Sequence, residues 1–293
     1  DLAPAVTKAT GVVCHNLQIL ARETCGQQLS VYQERVSMMA NRHTNLKLFA
    51  EQLGQIKAHN TEEEMLEQKN DTIEDMYNLL KARAPKLVST EDAVQLDELH
   101  HAVSEAKDKK QDALLFIDQS MAVMRTKLES NIRSLSNQCL DTEQMLMEGV
   151  FVDPSASPDF ALESLQAVNL NVTKIEDKSN TFKNMKSLFC DEDFSFEVVR
   201  TLKGVFETRN EMWTLCKSWQ DQFDFWSTAD LSAVFNPLKN NTGMDGEEFE
   251  KQVEVFFQLG NKIRRQMKDD PVASAYVREL KSIRERSSYI AQL

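Results

Sequence analysis

The stretch STEDAVQLDELHHAVSEAKD, Ser89–Asp108, opens on a helix-start signal, and no proline or glycine follows it through Met147. A serine at the cap position accepts from the amide three residues on, and the Asp92 carboxylate is placed to reach back to the cap. Beyond the cap, apolar residues recur mostly at steps of three and four: Leu96, Leu99, Val103, Ala106, Ala113, Ile117, Met121, Met124, Leu128, Ile132, Leu135, Cys139 and Leu146. That is one face of a single helix. The reading predicts an uninterrupted helix of about 60 residues, roughly 90 Å at 1.5 Å per residue. A helix of that length is not stable alone and needs partner helices along its apolar seam.

Glycine and proline extend the argument to the whole chain. Gly 8 and Pro 6 in 293 residues fall far below the roughly 12% of an average protein, so turns are few and elements long. No segment shows strand alternation or a hairpin signal. The expected fold is all-α, an elongated array of long helices and helical bundles with no β-sheet.

Upstream, apolar residues repeat at three and four from about Pro4 to His59, with a kink expected near Gly26. Thr61 and Glu64 in HNTEEEM read as a capping box that starts a second helix, carrying Met65, Ile73, Met76, Leu79 and Leu80 and stopping before Pro85. Downstream, EGVFVDPSASPDF, Glu148–Phe160, is the clearest break. It divides the chain into a long-helix rod, residues 1–149, and a helical bundle, residues 150–293. Ser157 and Pro158 start the next helix, which runs to Phe189. Asp193 or Ser195 is expected to cap a helix over Val198–Trp226, Asp245 with Glu248 to open another, and Asp270 before Pro271 to open the last.

Charge and motifs exclude several function classes. Asp and Glu number 46 against 34 Lys and Arg, a net charge of -12 that repels nucleic acid and anionic membrane. No apolar run approaches the length of a membrane span. Cys14, Cys25, Cys139, Cys190 and Cys216 are scattered singly, which fits a reducing compartment. No phosphate-cradling glycine loop occurs. The adjacent His100 and His101 diverge by about 100° on a helix and cannot share a metal. No catalytic residue, cofactor site or metal-ligand set is read from the sequence, and all five histidines read as surface or bundle-flank residues.

All three tryptophans lie in MWTLCKSWQDQFDFW, Met212–Trp226. Met212, Cys216, Trp219, Phe223 and Trp226 follow at steps of four, three, four and three, a single helix face, and Trp213 sits beside it. A helix with a heavy aromatic face packed on its neighbours is the reading that spacing supports.

From about Glu143 onward the order of features resembles a known family. A long helix ending in EGVFVDPSASP, then DFALESL and a helix ending KSLF, then LKGVFETRNEMWTLCKSWQDQFDFW, is similar to the tail of dynein heavy chains as it leads into the linker. EEFEKQVEVFFQLGNKI, the turn KDDPVA and YVRELKSIRERSSYIAQL resemble the first linker helices, in a form closer to axonemal dyneins and leaning to the single-headed inner-arm chains. Residues 1–142 match only as long helices of a tail rod.

The resemblance implies a non-catalytic part of a microtubule motor that begins here at Asp1 as a piece of a longer chain, with ATPase sites downstream of residue 293. It implies dynein accessory chains or neighbouring arms as partners, and a cytoplasmic, cytoskeletal or axonemal location. It also implies that Met212, Trp213, Trp219, Phe223 and Trp226 form the junction between tail rod and linker. The competing reading is a spectrin-like or coiled-coil scaffold without a motor, although the two halves show no shared repeat of about 100 residues.

Overall fold

A computed structural model describes residues 3–190, 194–228 and 246–290. They form seven α-helices: α1 (Ala3–Ala40), α2 (Leu46–Arg83), α3 (Thr90–Leu146), α4 (Pro158–Cys190), α5 (Glu197–Thr228), α6 (Gly246–Gln266) and α7 (Pro271–Ile290). Short 3-10 turns lie at Pro85–Leu87 and Gly149–Val152, and the described residues contain no strand. The chain is all-α, as glycine and proline content predicts.

The start of α3 forms as read. Asp92 N donates to Ser89 Oγ at 3.1 Å, and Ser89 N donates to Asp92 Oδ2 at 2.9 Å, a reciprocal box. From there α3 continues unbroken for 57 residues. Asp270 caps α7 in the same manner, its Oδ1 accepting from Ala273 N at 2.9 Å.

The first break differs from the expected one. Helix α1 continues through Gly26 without a break, with the side-chain amide of Gln95 in α3 lying 3.0 Å from where a Cβ would be. The chain turns instead at residues 41–45, where Asn45 accepts from Lys47 N at 2.9 Å and Leu48 N at 3.3 Å and so caps α2. Thr61 is not a cap: its hydroxyl donates to Ala58 O at 2.7 Å within α2. A hydroxyl can return its proton to the preceding turn, so a T-x-x-E pattern does not by itself start a helix. Ser195 likewise lies too early to cap α5, whose first intrahelical bond runs from Arg200 N to Phe196 O. Asp193 and Asp245 fall outside the described residues.

Two compact units emerge from the contacts: Asp1–Glu129 with Asn184–Asp193, and Ser130–Lys183 with Phe194–Leu293. This division differs from the one read at residues 149 and 150, because the Pro- and Gly-bearing loop is packed within the second unit. Phe151 of that loop is buried, and its carbonyl accepts hydrogen bonds from Arg209 and Trp213 of α5.

In the first unit, α1, α2 and the first half of α3 bury Ala21, Cys25, Leu66, Ile73, Tyr77, Leu80 and Leu99. Phe49 meets Phe116 and Phe189 edge-on, with ring centroids 6.3 and 5.8 Å apart. The last carbonyls of α4 are met by cations from other helices: Lys57 Nζ donates to Leu188 O at 3.1 Å, and the Arg125 guanidinium donates to Phe189 O. Positive charge there complements the helix dipole. Asp92 ties α1 to α3, accepting from Arg22 Nε at 2.8 Å and Gln18 Nε2 at 3.2 Å. The Arg22 hydrogen bond, aided by those from Ser89 and Gln18, holds the Asp92 carboxyl well below the usual carboxylate range.

In the second unit, the end of α3, most of α4, and α5, α6 and α7 share one core. It includes Leu135, Cys139, Leu165, Ile175, Leu202, Met212, Trp213, Val253 and Leu280.

Candidate functional site: the buried face of α5

Helix α5 presents Leu202, Arg209, Met212, Trp213 and Trp219 to the second unit's core, positions that fall on one side at 3.6 residues per turn. Among them Arg209 is the exception in chemistry. Its side chain is 1% exposed, and Nη1 donates to Asp270 Oδ2 at 2.5 Å and to Phe151 O at 3.1 Å. One carboxylate therefore does two jobs: Asp270 Oδ1 caps α7 while Oδ2 neutralises the arginine.

Trp213 shares the same acceptor. Its Nε1–H donates to Phe151 O at 3.1 Å, so a single loop carbonyl fastens two successive turns of α5. The indole N–H is thus buried and paired, and so is the Nη1 end of the guanidinium.

Further along, the aromatic face meets α6 and α7. The Trp219 ring lies 5.4 Å from Phe256, 5.8 Å from Trp226 and 5.9 Å from Phe223, and its Nε1–H donates to Glu279 Oε1 of α7 at 3.2 Å. Trp226 meets Phe249 of α6 at 4.6 Å. At Gly260 of α6 the Tyr276 ring of α7 comes close, so that a Cβ there would lie 2.7 Å from Tyr276 Cε1. Only a residue without Cβ lets that ring seat.

The five residues singled out from the sequence thus share one face but not one environment. Met212, Trp213 and Trp219 are buried and Trp226 partly so, whereas Phe223 is 45% exposed. Trp213, read as sitting beside the stripe, is more buried than Phe223, read as within it. A step of four then three drifts only about 20° per seven residues, so all five stay near one side; Phe223 is exposed even so, while Trp226, three residues on, packs against the core. Sequence reasoning missed Arg209, Asp270 as its partner, and Glu279. The available signal was a charged residue three and four positions before Met212 and Trp213, on the same apolar face.

Chemistry at this face is restrained. Burial pushes the Cys216 thiol up to about 12, with Glu279 and Asp270 adding to it. It is therefore protonated at neutral pH, and a thiol rather than a thiolate is a poor nucleophile. Burial likewise raises the Tyr276 phenol, with Cys216 and Glu279 reinforcing the effect. Among the described residues no group of three or more His, Cys, Asp or Glu side chains is placed to hold a metal ion. No described helix is long and apolar enough to cross a membrane. In the first unit, His59 lies beside Arg35 and Lys110, and burial followed by the Arg35 charge lowers its pKa; His100 pairs with Glu74 at 2.9 Å. What the α5 face can do is hold helices in fixed register. A scan of protein-family models returns no match to the chain, and a search of curated proteins returns none.

Proposed function

We propose that the chain is a non-catalytic, linker-proximal segment of a dynein heavy-chain tail, which passes force between a microtubule motor and an anchored tail and offers helix faces to accessory chains. The observation that carries this reading is the fastening of α5: Arg209 to Asp270 and Phe151, Trp213 to Phe151, and Trp219 to Glu279 and the α6 aromatics. A junction that transmits force needs helices whose register does not slip, and buried directional bonds plus aromatic interlock supply that. The sequence resemblance from Glu143 onward assigns the junction to the region where tail meets linker. The cytoplasmic, axonemal and inner-arm assignments rest on that resemblance.

The test is the native polypeptide. An antibody raised against residues 1–293 is used to precipitate the protein from ciliated cells and from isolated axonemes. The expected product is a heavy chain many times larger than 33.5 kDa, with microtubule-stimulated ATPase activity and smaller accessory chains in the precipitate. A large helical protein lacking ATPase would favour the motor-free scaffold and refute the proposal.

A further inference from the structure

An open groove of about 540 Å³ lies in the second unit, between the first turns of α5 and the turn that joins α6 to α7. Its walls include Met147, Gly204, Thr208, Arg209, Lys268 and Asp269. Nothing lies within 4 Å of where a Gly204 Cβ would be, so the groove is open above that residue.

The Arg209 guanidinium has two edges, and only one is used. Nη1 is taken by Asp270 and Phe151. On the other edge Nε has no hydrogen-bond partner among the described residues, although the side chain is 1% exposed, and Nη2 meets only the Met147 sulfur at 3.6 Å. A thioether is a weak acceptor for a cationic donor. Met147 is itself 48% exposed and lines the same groove, with its flexible side chain set against Nη2.

We propose that this groove binds a carboxylate, held side-on by Nε–H and Nη2–H of Arg209 once the Met147 side chain swings aside. Two parallel N–H groups on one guanidinium edge match the two oxygens of a planar carboxylate. The charge balance favours a monoanion over a dianionic phosphate. Arg209 is already offset by Asp270, and exposed Lys268 by exposed Asp269, so the groove is neutral before the ligand arrives. Affinity then comes from paired hydrogen bonds to a buried cationic donor edge. The volume lies within the range of small-ligand sites. The proposal does not depend on the motor reading.

The experiment follows the arginine Nε–H signals of the full chain, labelled with ¹⁵N, with the Arg209 resonance identified from Arg209→Lys. Sodium acetate is titrated against sodium chloride at equal ionic strength. A helical peptide with one central Glu is titrated against the same peptide carrying Gln. A saturable shift with acetate supports the site and makes free carboxylates its source. A shift with the Glu peptide alone supports it and makes a polypeptide side chain the source. Gly204→Leu, which puts a side chain into the groove at a position whose Cβ meets nothing within 4 Å, should weaken binding about tenfold or more, as loss of a hydrogen bond to a charged group implies, with helix content unchanged. Met147→Ala should strengthen it. No saturable shift with either carboxylate, equal binding of Glu and Gln peptides, or unaltered binding in Gly204→Leu would overturn the proposal.

Discussion

Replacing Asp270 by Asn separates its two tasks. Asn caps a helix about as well as Asp, so the bond from Ala273 N to the side-chain oxygen is kept, while the negative charge facing Arg209 is lost. Both side chains of the pair are nearly inaccessible, at 1% and 5% exposure. Breaking a buried pair leaves an uncompensated charge and costs about 3 to 5 kcal/mol. Asp270→Ala should cost about 1 kcal/mol more, the ordinary worth of an N-cap. Combining Asp270→Asn with Arg209→Met should recover much of the loss, because an apolar replacement of both partners removes the stranded charge. Urea unfolding followed by tryptophan fluorescence is the assay of choice, since Trp213, Trp219 and Trp226 all lie in the second unit and report on it alone. That avoids treating two units as one transition. If Asp270→Asn unfolds within about 0.5 kcal/mol of the parent chain at an unchanged slope, the ion pair does not hold α5 to α7, and the junction rests on its aromatics.

Three further outcomes are expected. Trp219→Ala should cost about 3 to 5 kcal/mol, whereas Phe223→Ala, at a site 45% exposed, should cost about 1 kcal/mol; equal losses in the same urea assay would show that the aromatic face is not ranked by burial. Gly204→Ala should stabilise by up to about 1 kcal/mol through helix propensity, since its Cβ meets open space, while Gly260→Ala should destabilise by about 1 to 3 kcal/mol because its Cβ lands on Tyr276; thermal unfolding that moves both in one direction would contradict the packing described. Asp92, with its carboxyl held below the usual range chiefly by Arg22, contributes stability that is complete above the ordinary value of about 3.9 and is lost as pH falls through the depressed folded value. Circular-dichroism urea midpoints of the parent should therefore drop from about pH 4 downward more steeply than those of Asp92→Asn; parallel curves would mean that the tie from α1 to α3 is energetically silent.

How much of this was legible in the sequence depended on whether the deciding interaction was local. Ser89 with Asp92 and Asp270 with Ala273 span three residues each, so their chemistry could be read directly. The α3 helix was legible because nothing in 57 residues interrupts it. Thr61 misled because the same hydroxyl can cap a helix or bond back within one, and only the neighbouring chain decides which. The turn at residues 41–45 carries no glycine or proline, and its local marks are Asn41 and Asn45. Arg209 and Asp270 lie 61 positions apart; no periodicity argument reaches that far, and Asp270 was already accounted for as a cap. Phe151 was readable as part of a break but not as an acceptor, because its role is played by a backbone carbonyl that every residue has.

Trp213 and Arg209 are fixed by the same main-chain oxygen, so the loop matters through its path and not through its side-chain chemistry. Its path in turn follows from Phe151, whose ring is buried in the shared core. An apolar anchor thus positions a polar acceptor, and the acceptor sets the register of α5. The aromatic contacts of Trp219 and Trp226 act about two to four turns beyond Trp213 and are tolerant of small rotations, as dispersion contacts are. Two bonds to one carbonyl at one end, and aromatic packing with a single Trp219–Glu279 bond at the other, hold α5 against sliding along its neighbours.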